Sequence, residues 1–389
     1  MPPGEDLYIQ GLDWMARNEL YRARNLMEQA IGLNPQNAGA RMDLSLIYCQ
    51  LGEVAKANEM WAEIEARFNP PATLTEVIRQ ERSHGCVVDQ PQREIELEVA
   101  RGHSSNINQG VKSLSLDIPT ASGLMPVQLL PQFGQTADGY TQFNGAIKSA
   151  VTHDGVQAQM SLQLRENDTV KNLNIQTLAL DVAKRQELSA GRLDWIAGLG
   201  QANLGGAVFQ RHAKARLNWR PNQQPMAGWD SIFGVGVSQV NYPAFNTMSS
   251  QPWDVQLTMA REWIGSRLEI YGQLSKDRGN ANRPGGDKHG ARWGANLVQA
   301  LGQFHEERLF AKLSWDAQSW RSVNPYSPGF IEESRQQFLS TTTAAIVWPQ
   351  TRTDLWSLEA RRQHNHENIQ IFEYEAKTIQ LSYRKIWGY

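Results

Sequence analysis

The stretch Val156-Gln157-Ala158-Gln159-Met160-Ser161-Leu162-Gln163-Leu164-Arg165 alternates apolar and polar residues without a miss. In an extended chain successive side chains point to opposite faces. This period of two therefore puts Val156, Ala158, Met160, Leu162 and Leu164 on one face, with glutamines, a serine and an arginine on the other. A helix would scatter the same residues around its whole circumference. The segment reads as a strand with one greasy side and one wet side.

The same period extends in both directions. Upstream it holds at Ile95, Leu97 and Val99, at Leu114, Leu116 and Ile118 (read as the second strand), and at Phe143, Gly145 and Ile147. Downstream it runs through Leu173, Ile175, Thr177 and Ala179, then Trp195, Ala197 and Leu199, and continues to Ile379, Leu381, Tyr383, Trp387 and Tyr389. About fifteen such segments fill residues 93–389. Single-chain membrane barrels use even strand numbers, so fourteen strands are expected, with sixteen as the alternative. A soluble sandwich would have shorter strands and edges marked by breakers.

Composition agrees with a barrel in lipid. Charged residues make up 20 % of the 389 and the formal charge is −2, so no global basic field favours nucleic acid. The mean hydropathy of −0.50 argues against a helical membrane protein. It does not argue against a barrel, whose lipid-facing and lumen-facing side chains average out. Eleven of the thirteen tryptophans fall in the ladder, many at segment ends (Trp219, Trp229, Trp253, Trp263, Trp348, Trp387), where interfacial aromatic belts belong. The last segment, with Leu381, Tyr383, Trp387 and Tyr389, has the form of a C-terminal barrel-assembly signal. Gly388 interrupts it and Lys385 falls in its apolar phase.

Residues 5–84 carry a different period. Gly11/Ser45, Trp14/Tyr48, Ala23/Ala57, Met27/Trp61 and Ala30/Ile64 are each 34 positions apart, the spacing of tetratricopeptide helical hairpins, with Pro35 between the two units. Small residues at Gly11, Ser45, Ala23 and Ala57 let paired helices approach closely, while Trp14, Tyr48, Met27 and Trp61 fill the space between them. A third helix is expected from Thr73 to about His84. The predicted organisation is therefore a helical domain over 5–84, a linker over 85–92 and a barrel over 93–389. Cys49 and Cys86 are too few for a disulfide framework, although a single bridge is open to an oxidising compartment. The start Met1-Pro2-Pro3-Gly4-Glu5-Asp6 has neither a basic nor an apolar signal region, so an export signal is expected upstream of it.

Catalytic and cofactor motifs do not emerge. Gly198-Leu199-Gly200 opens no helix, and no nucleophile elbow or phosphate loop is present. His364, His366 and Glu367 read as a surface loop rather than a metal site, and the Gly-rich 278–288 stretch as an exposed turn. The expected function is not enzymatic and needs no cofactor.

Two stretches carry a resemblance. Gly102-His103-Ser104-Ser105-Asn106-Ile107-Asn108-Gln109-Gly110 follows the first strand. Asn365-His366-Glu367-Asn368-Ile369-Gln370-Ile371-Phe372-Glu373-Tyr374-Glu375 precedes the last. With the helical module ahead of them, they resemble the surface lipoprotein assembly modifier family. His103, Ser104 and Glu367 depart from the family's usual Tyr, Asp and Ser. The resemblance implies an outer-membrane translocon that moves lipoproteins or related secreted clients from periplasm to cell surface. Its implied partners are that client, outer-membrane lipid, the barrel assembly machinery and a periplasmic chaperone. The alternative is an exopolysaccharide export porin with a helical adaptor, whose lumen should carry one sign of charge and aromatic sugar platforms. Closure makes the first and last strands neighbours, so Ser104, Ser105, Asn106, Asn108, Asn365 and Asn368 are expected to flank the seam, which could open sideways.

Overall fold

The computed structural model describes residues 3–16, 20–51, 53–83, 93–120, 122–151, 155–188, 190–263, 265–304, 307–351 and 353–388. They form a helical unit and a barrel unit, which begins at Arg93. Cys86, the 85–92 linker, His84 and Tyr389 lie outside the described residues.

The helical unit has five helices: α1 (Glu5–Ala16), α2 (Leu20–Leu33), α3 (Ala38–Gln50), α4 (Val54–Phe68) and α5 (Ala72–Ser83). Asn37 starts α3 by accepting the Ala40 N–H at 2.9 Å, a cap typically worth about 1 kcal/mol. Asn69 ends α4 in the left-handed region at φ 43°, just before Pro70-Pro71, where no helix can continue. Ala23, Met27, Ala30, Ser45, Tyr48, Cys49, Ala57, Trp61 and Ile64 are buried, and Trp14 packs against their cluster. Gly11 lies against Met27, 3.0 Å from where a Cβ would sit. Arg41, which the apolar pattern does not mark, is also buried. It donates to the Pro35 carbonyl at 3.0 Å and to Glu63 at 2.6 Å, tying α3 to α4.

The barrel closes in the order β1-β16-β15-β14-β13-β12-β11-β10-β9-β8-β7-β6-β5-β4, fourteen strands with every neighbouring pair antiparallel. The strands are β1 (Arg93–Ser104), β4 (Asp138–Ala150), β5 (Val156–Asn167), β6 (Ile175–Leu188), β7 (Gly191–Leu204), β8 (Ala207–Pro221), β9 (Asp230–Asn241), β10 (Ser250–Trp263), β11 (Ser266–Gly279), β12 (Lys288–Phe304), β13 (Glu307–Ser327), β14 (Ile331–Pro349), β15 (Asp354–Glu367) and β16 (Tyr374–Gly388). We call the end where β1 begins and β16 finishes the terminal end, and the opposite one the loop end.

Two details differ from the sequence reading. Leu114, Leu116 and Ile118 do not make the second barrel strand. Leu116 and Ile118 belong to β2 (Ser115–Thr120), which pairs only with β3 (Gly123–Gln128) in a separate hairpin. Six-residue strands interrupted by Pro119 and Pro126 cannot donate a continuous ladder. The phase of β6 is also reversed. Gln163 of β5 faces Thr177, so Ile175, Thr177 and Ala179 share the glutamine side. Leu178, Leu180 and Val182 are the outward residues and are exposed. Both phases of β6 look apolar until Asp181, whose carboxylate meets Lys214 at 2.8 Å inside.

The cross-strand register fixes what faces in. Trp195, Trp219, Trp263, Trp348, Trp356 and Trp387 share the outer phase and cluster toward the terminal end. Trp253 and Trp293 occupy the outer phase toward the loop end. Trp320 shares the lumen phase beside Gly290, and Trp229 lies in the turn before β9.

Candidate functional site: the closing seam and the lumen beside it

β1 and β16 close the barrel through eleven consecutive pairs, from Glu94↔Gly388 to Ser104↔Thr378, with no bulge. The alternation places Ile95, Leu97 and Val99 opposite Trp387, Lys385 and Tyr383 on the outer side. Glu98, Ala100, Gly102 and Ser104 stand opposite Arg384, Ser382, Gln380 and Thr378 on the lumen side.

Three polar ties cross this seam. Arg384 donates to Glu98 at 2.7 Å and lies 3.2 Å from Glu96. Glu98 also accepts from Asn144 of β4 at 2.9 Å, so one buried carboxylate joins three strands. The second tie skips a strand. Tyr140 of β4 is buried, lies over the backbone of β1 at Gly102, and donates its hydroxyl to Gln380 of β16 at 2.8 Å. Only a residue without Cβ fits beneath that ring: a Cβ on Gly102 would sit 2.5 Å from Tyr140 Cζ. The third tie is at the loop end. Ser105 N–H donates to the Lys377 carbonyl at 2.8 Å, and Lys377 N–H donates to Ser105 Oγ at 2.9 Å. Asn106 donates to the Glu375 carbonyl at 2.9 Å and folds its own loop by exchanging bonds with Gly110.

The other sequence-derived candidates divide. Ser104 is buried at the end of β1, where its Oγ accepts the Asn106 N–H at 3.4 Å. Asn108 holds the same loop, donating to the Gly134 carbonyl at 2.8 Å and accepting from Thr136 N–H at 3.0 Å. Asn365 and Asn368 do not meet the Ser104–Asn108 stretch. Asn365 closes its own turn on the Phe372 carbonyl at 2.7 Å and accepts from Gln337 of β14 at 2.8 Å. Asn368 donates to the Ser334 carbonyl and to Glu333, both at 3.0 Å. These two side chains tie toward β14, one strand removed from the seam. His364 and His366 take the outer phase and Glu367 the inner, so the three do not converge.

Sequence reasoning missed a clamp. The β2–β3 hairpin belongs to the loop after β1. Its buried Ile118 packs with Ile331 of β14 and Ile369 of the β15–β16 turn, and Val127, Tyr326, Ile371 and Phe372 close around them. The loop leaving β1 thus reaches past β16 to the β15–β16 turn and to β14. Tyr326 and Phe372 meet edge to face at 5.0 Å, and the Arg335 guanidinium lies 4.0 Å from the Phe372 ring while pairing with buried Glu367 at 2.6 Å. The signal in the sequence was the pair of prolines, which mark the segment as something other than a barrel strand.

Inside, most wall charges are matched. Lys214 meets Asp181 at 2.8 Å, Arg216 meets Asp254 at 2.9 Å, and Arg292 meets Asp316 at 2.8 Å. Arg267 meets Glu262 at 2.7 Å. A cavity of about 410 Å3 opens on the lumen side of the seam, lined by residues of β1, β4, β5, β13, β15 and β16 among others.

No protein-family model matches the sequence, and no curated protein matches it. Solved structures to which the chain is similar include a bacterial polysaccharide outer membrane secretin, at 9% identity over 75% of this chain and 98% of that one, with a TM-score of 0.39. They also include the high-pH structure of OprB from Pseudomonas putida, at 9% identity over 81% and 96%, with a TM-score of 0.41. A third is OpdK from Pseudomonas aeruginosa with vanillate, at 9% identity over 76% and 99%, with a TM-score of 0.37.

Proposed function

We propose that this chain is an outer-membrane β-barrel that delivers a client, a surface lipoprotein or related secreted protein, from periplasm to cell surface, with the β1/β16 seam as the exit for acyl chains. The observation that carries the reading is the outer face of the barrel. Leu199 (62% exposed), Leu274 (63%), Val235 (57%) and Ile379 (55%) belong to one outward phase repeated from strand to strand. Water does not tolerate a continuous apolar surface of that extent, whereas hydrocarbon does. The tryptophans gathered toward the terminal end suit an interfacial belt there, and in this reading the terminal end and the helical module face the periplasm. Tetratricopeptide-like packing of two hairpins would suit such a module to hold a client or chaperone.

Beside its eleven-pair backbone ladder, the seam is tied by polar, exchangeable side-chain contacts that suit a lateral route: Arg384 with Glu98 and Glu96, one tyrosine–glutamine bond and a few side-chain-to-backbone bonds. An exopolysaccharide porin is the weaker reading, since its lumen should run to one sign and here cations and carboxylates pair along the wall. The test is a cysteine pair at Ala100 and Ser382, directly opposed small residues on the lumen side. With the pair oxidised, the client should vanish from the surface of intact cells, as read by protease shaving, and return on reduction. Undiminished delivery with the seam locked overturns the lateral route.

A further inference from the structure

The seam-side cavity differs electrically from the rest of the lumen. Two of the cations that line it have no carboxylate within 4 Å among the described residues: Arg165 of β5 and Lys312 of β13. Arg165 is half-buried with its guanidinium 3.7 Å from the Tyr140 ring centroid, so its plane is held by stacking and its N–H edge is left for another partner. Arg361 lines the same cavity. It shares one oxygen of Glu359 at 3.0 Å. The remaining cation, Arg384, is taken by Glu98. The lining thus holds four cations against two carboxylates, Glu98 and Glu359.

Even with Glu96, which lies 3.2 Å from Arg384 outside that lining, the cluster keeps one positive charge more than its carboxylates neutralise, and that excess attracts a counter-charge. A planar guanidinium edge beside a second arginine is the arrangement that takes an oxyanion in a bidentate manner. We infer that this cavity is a binding site for a phosphate- or carboxylate-type oxyanion, held between Arg165 and Arg361, with Lys312 supplying long-range attraction. The buried Tyr140 ring is the positioning element, fixed in turn by its bond to Gln380. The site stands whether or not the seam opens, because it requires only the closed barrel.

The experiment uses the purified full chain in an uncharged detergent, with folding checked by heat-modifiable gel migration. Inorganic phosphate is titrated and followed by calorimetry and by 31P line broadening. In a parallel arm, short-chain phosphatidylglycerol replaces it. Saturable binding by the natural chain that weakens at least tenfold, about 1.4 kcal/mol, in Arg165→Gln supports the site. Arg362→Gln, which removes an exposed outer-phase arginine, should leave the affinity unchanged. Binding in the phosphate arm identifies a free anion as sufficient, and binding in the phosphatidylglycerol arm alone identifies a lipid headgroup as the source. No saturable binding in either arm, or equal binding by Arg165→Gln, overturns the inference.

Discussion

Gly102→Ala is the sharpest perturbation of the seam. Gly102 is not among the positive-φ glycines, so the backbone accepts alanine and any cost is steric. The added methyl would lie 2.5 Å from both Cζ and Oη of Tyr140 and 2.9 Å from Cε1. The ring cannot retreat freely, because the Arg165 guanidinium stacks against it at 3.7 Å. Overpacking of this kind costs about 1–3 kcal/mol, and loss of the Tyr140–Gln380 bond adds about 1, so a destabilisation of about 2–4 kcal/mol is expected. Urea unfolding in detergent, followed by tryptophan fluorescence and gel mobility, measures it. The decisive comparison is a double-mutant cycle. Tyr140→Ala alone should cost about 3–5 kcal/mol, as for other buried aromatic residues, and in that background Gly102→Ala should be nearly silent. Equal cost in both backgrounds would mean that the ring does not rest on this glycine, and the staple across β1 would have to be abandoned.

Two further outcomes test other parts of the chain. Ile118→Ala removes buried branches from the hairpin clamp and should destabilise its docking by about 2–5 kcal/mol, so protease should nick 115–128 faster while gel mobility reports an intact barrel; unchanged nicking refutes the clamp. In the helical unit, burial raises the Asp43 carboxyl above its usual range, against the pull of the Tyr8 hydroxyl that donates to it at 2.8 Å. A carboxyl with a raised folded pKa favours the fold at low pH. That advantage is lost as pH climbs from the unfolded value through the folded one. Asp43→Asn keeps an acceptor for Tyr8, so it should match the natural chain at low pH and be relatively more stable at neutral pH, by denaturation followed at 222 nm. The opposite sign would show that the carboxylate charge is used.

The period-of-two ladder was legible because barrel strands with an apolar outside and a polar inside must alternate; it counted about fifteen segments, and the choice of fourteen came from the even-number rule, the Leu114–Ile118 segment being the one that does not join the barrel. The phase of β6 was not, because Leu178, Leu180 and Val182 compete with Ile175, Thr177 and Ala179 and only the pairing with β5 decides. The loop-end caps were equally hidden. Asp138 accepts the N–H groups of Thr169 and Val170 at 2.8 and 2.9 Å, and Asn174 Oδ1 accepts the N–H of Asn167 at 2.9 Å. One regularity does mark them: a single 3-10 turn precedes β6, β10 and β16, at Lys171–Leu173, Asn246–Met248 and Gln370–Phe372. Contacts that skip a strand, such as Tyr140 over Gly102 to Gln380, have no local signature beyond a glycine in the polar phase of a strand.

Lys385 now has a physical account. It falls in the outer phase of β16, where a lone ammonium amid apolar side chains is costly, and it stands directly opposite Asp354 at the terminal end. The two pair at 2.8 Å, and the Tyr383 hydroxyl donates to the same carboxylate at 2.5 Å. Its neighbour Arg384 points the other way, to Glu98 of β1 inside the lumen. Adjacent residues of one strand thus hold opposite neighbours on opposite faces. Opening the β1/β16 seam breaks the Arg384 contacts and leaves those of Lys385 intact. β16 would therefore travel with β15, and the edges bared would be β1 on one side and β16, still backed by β15, on the other.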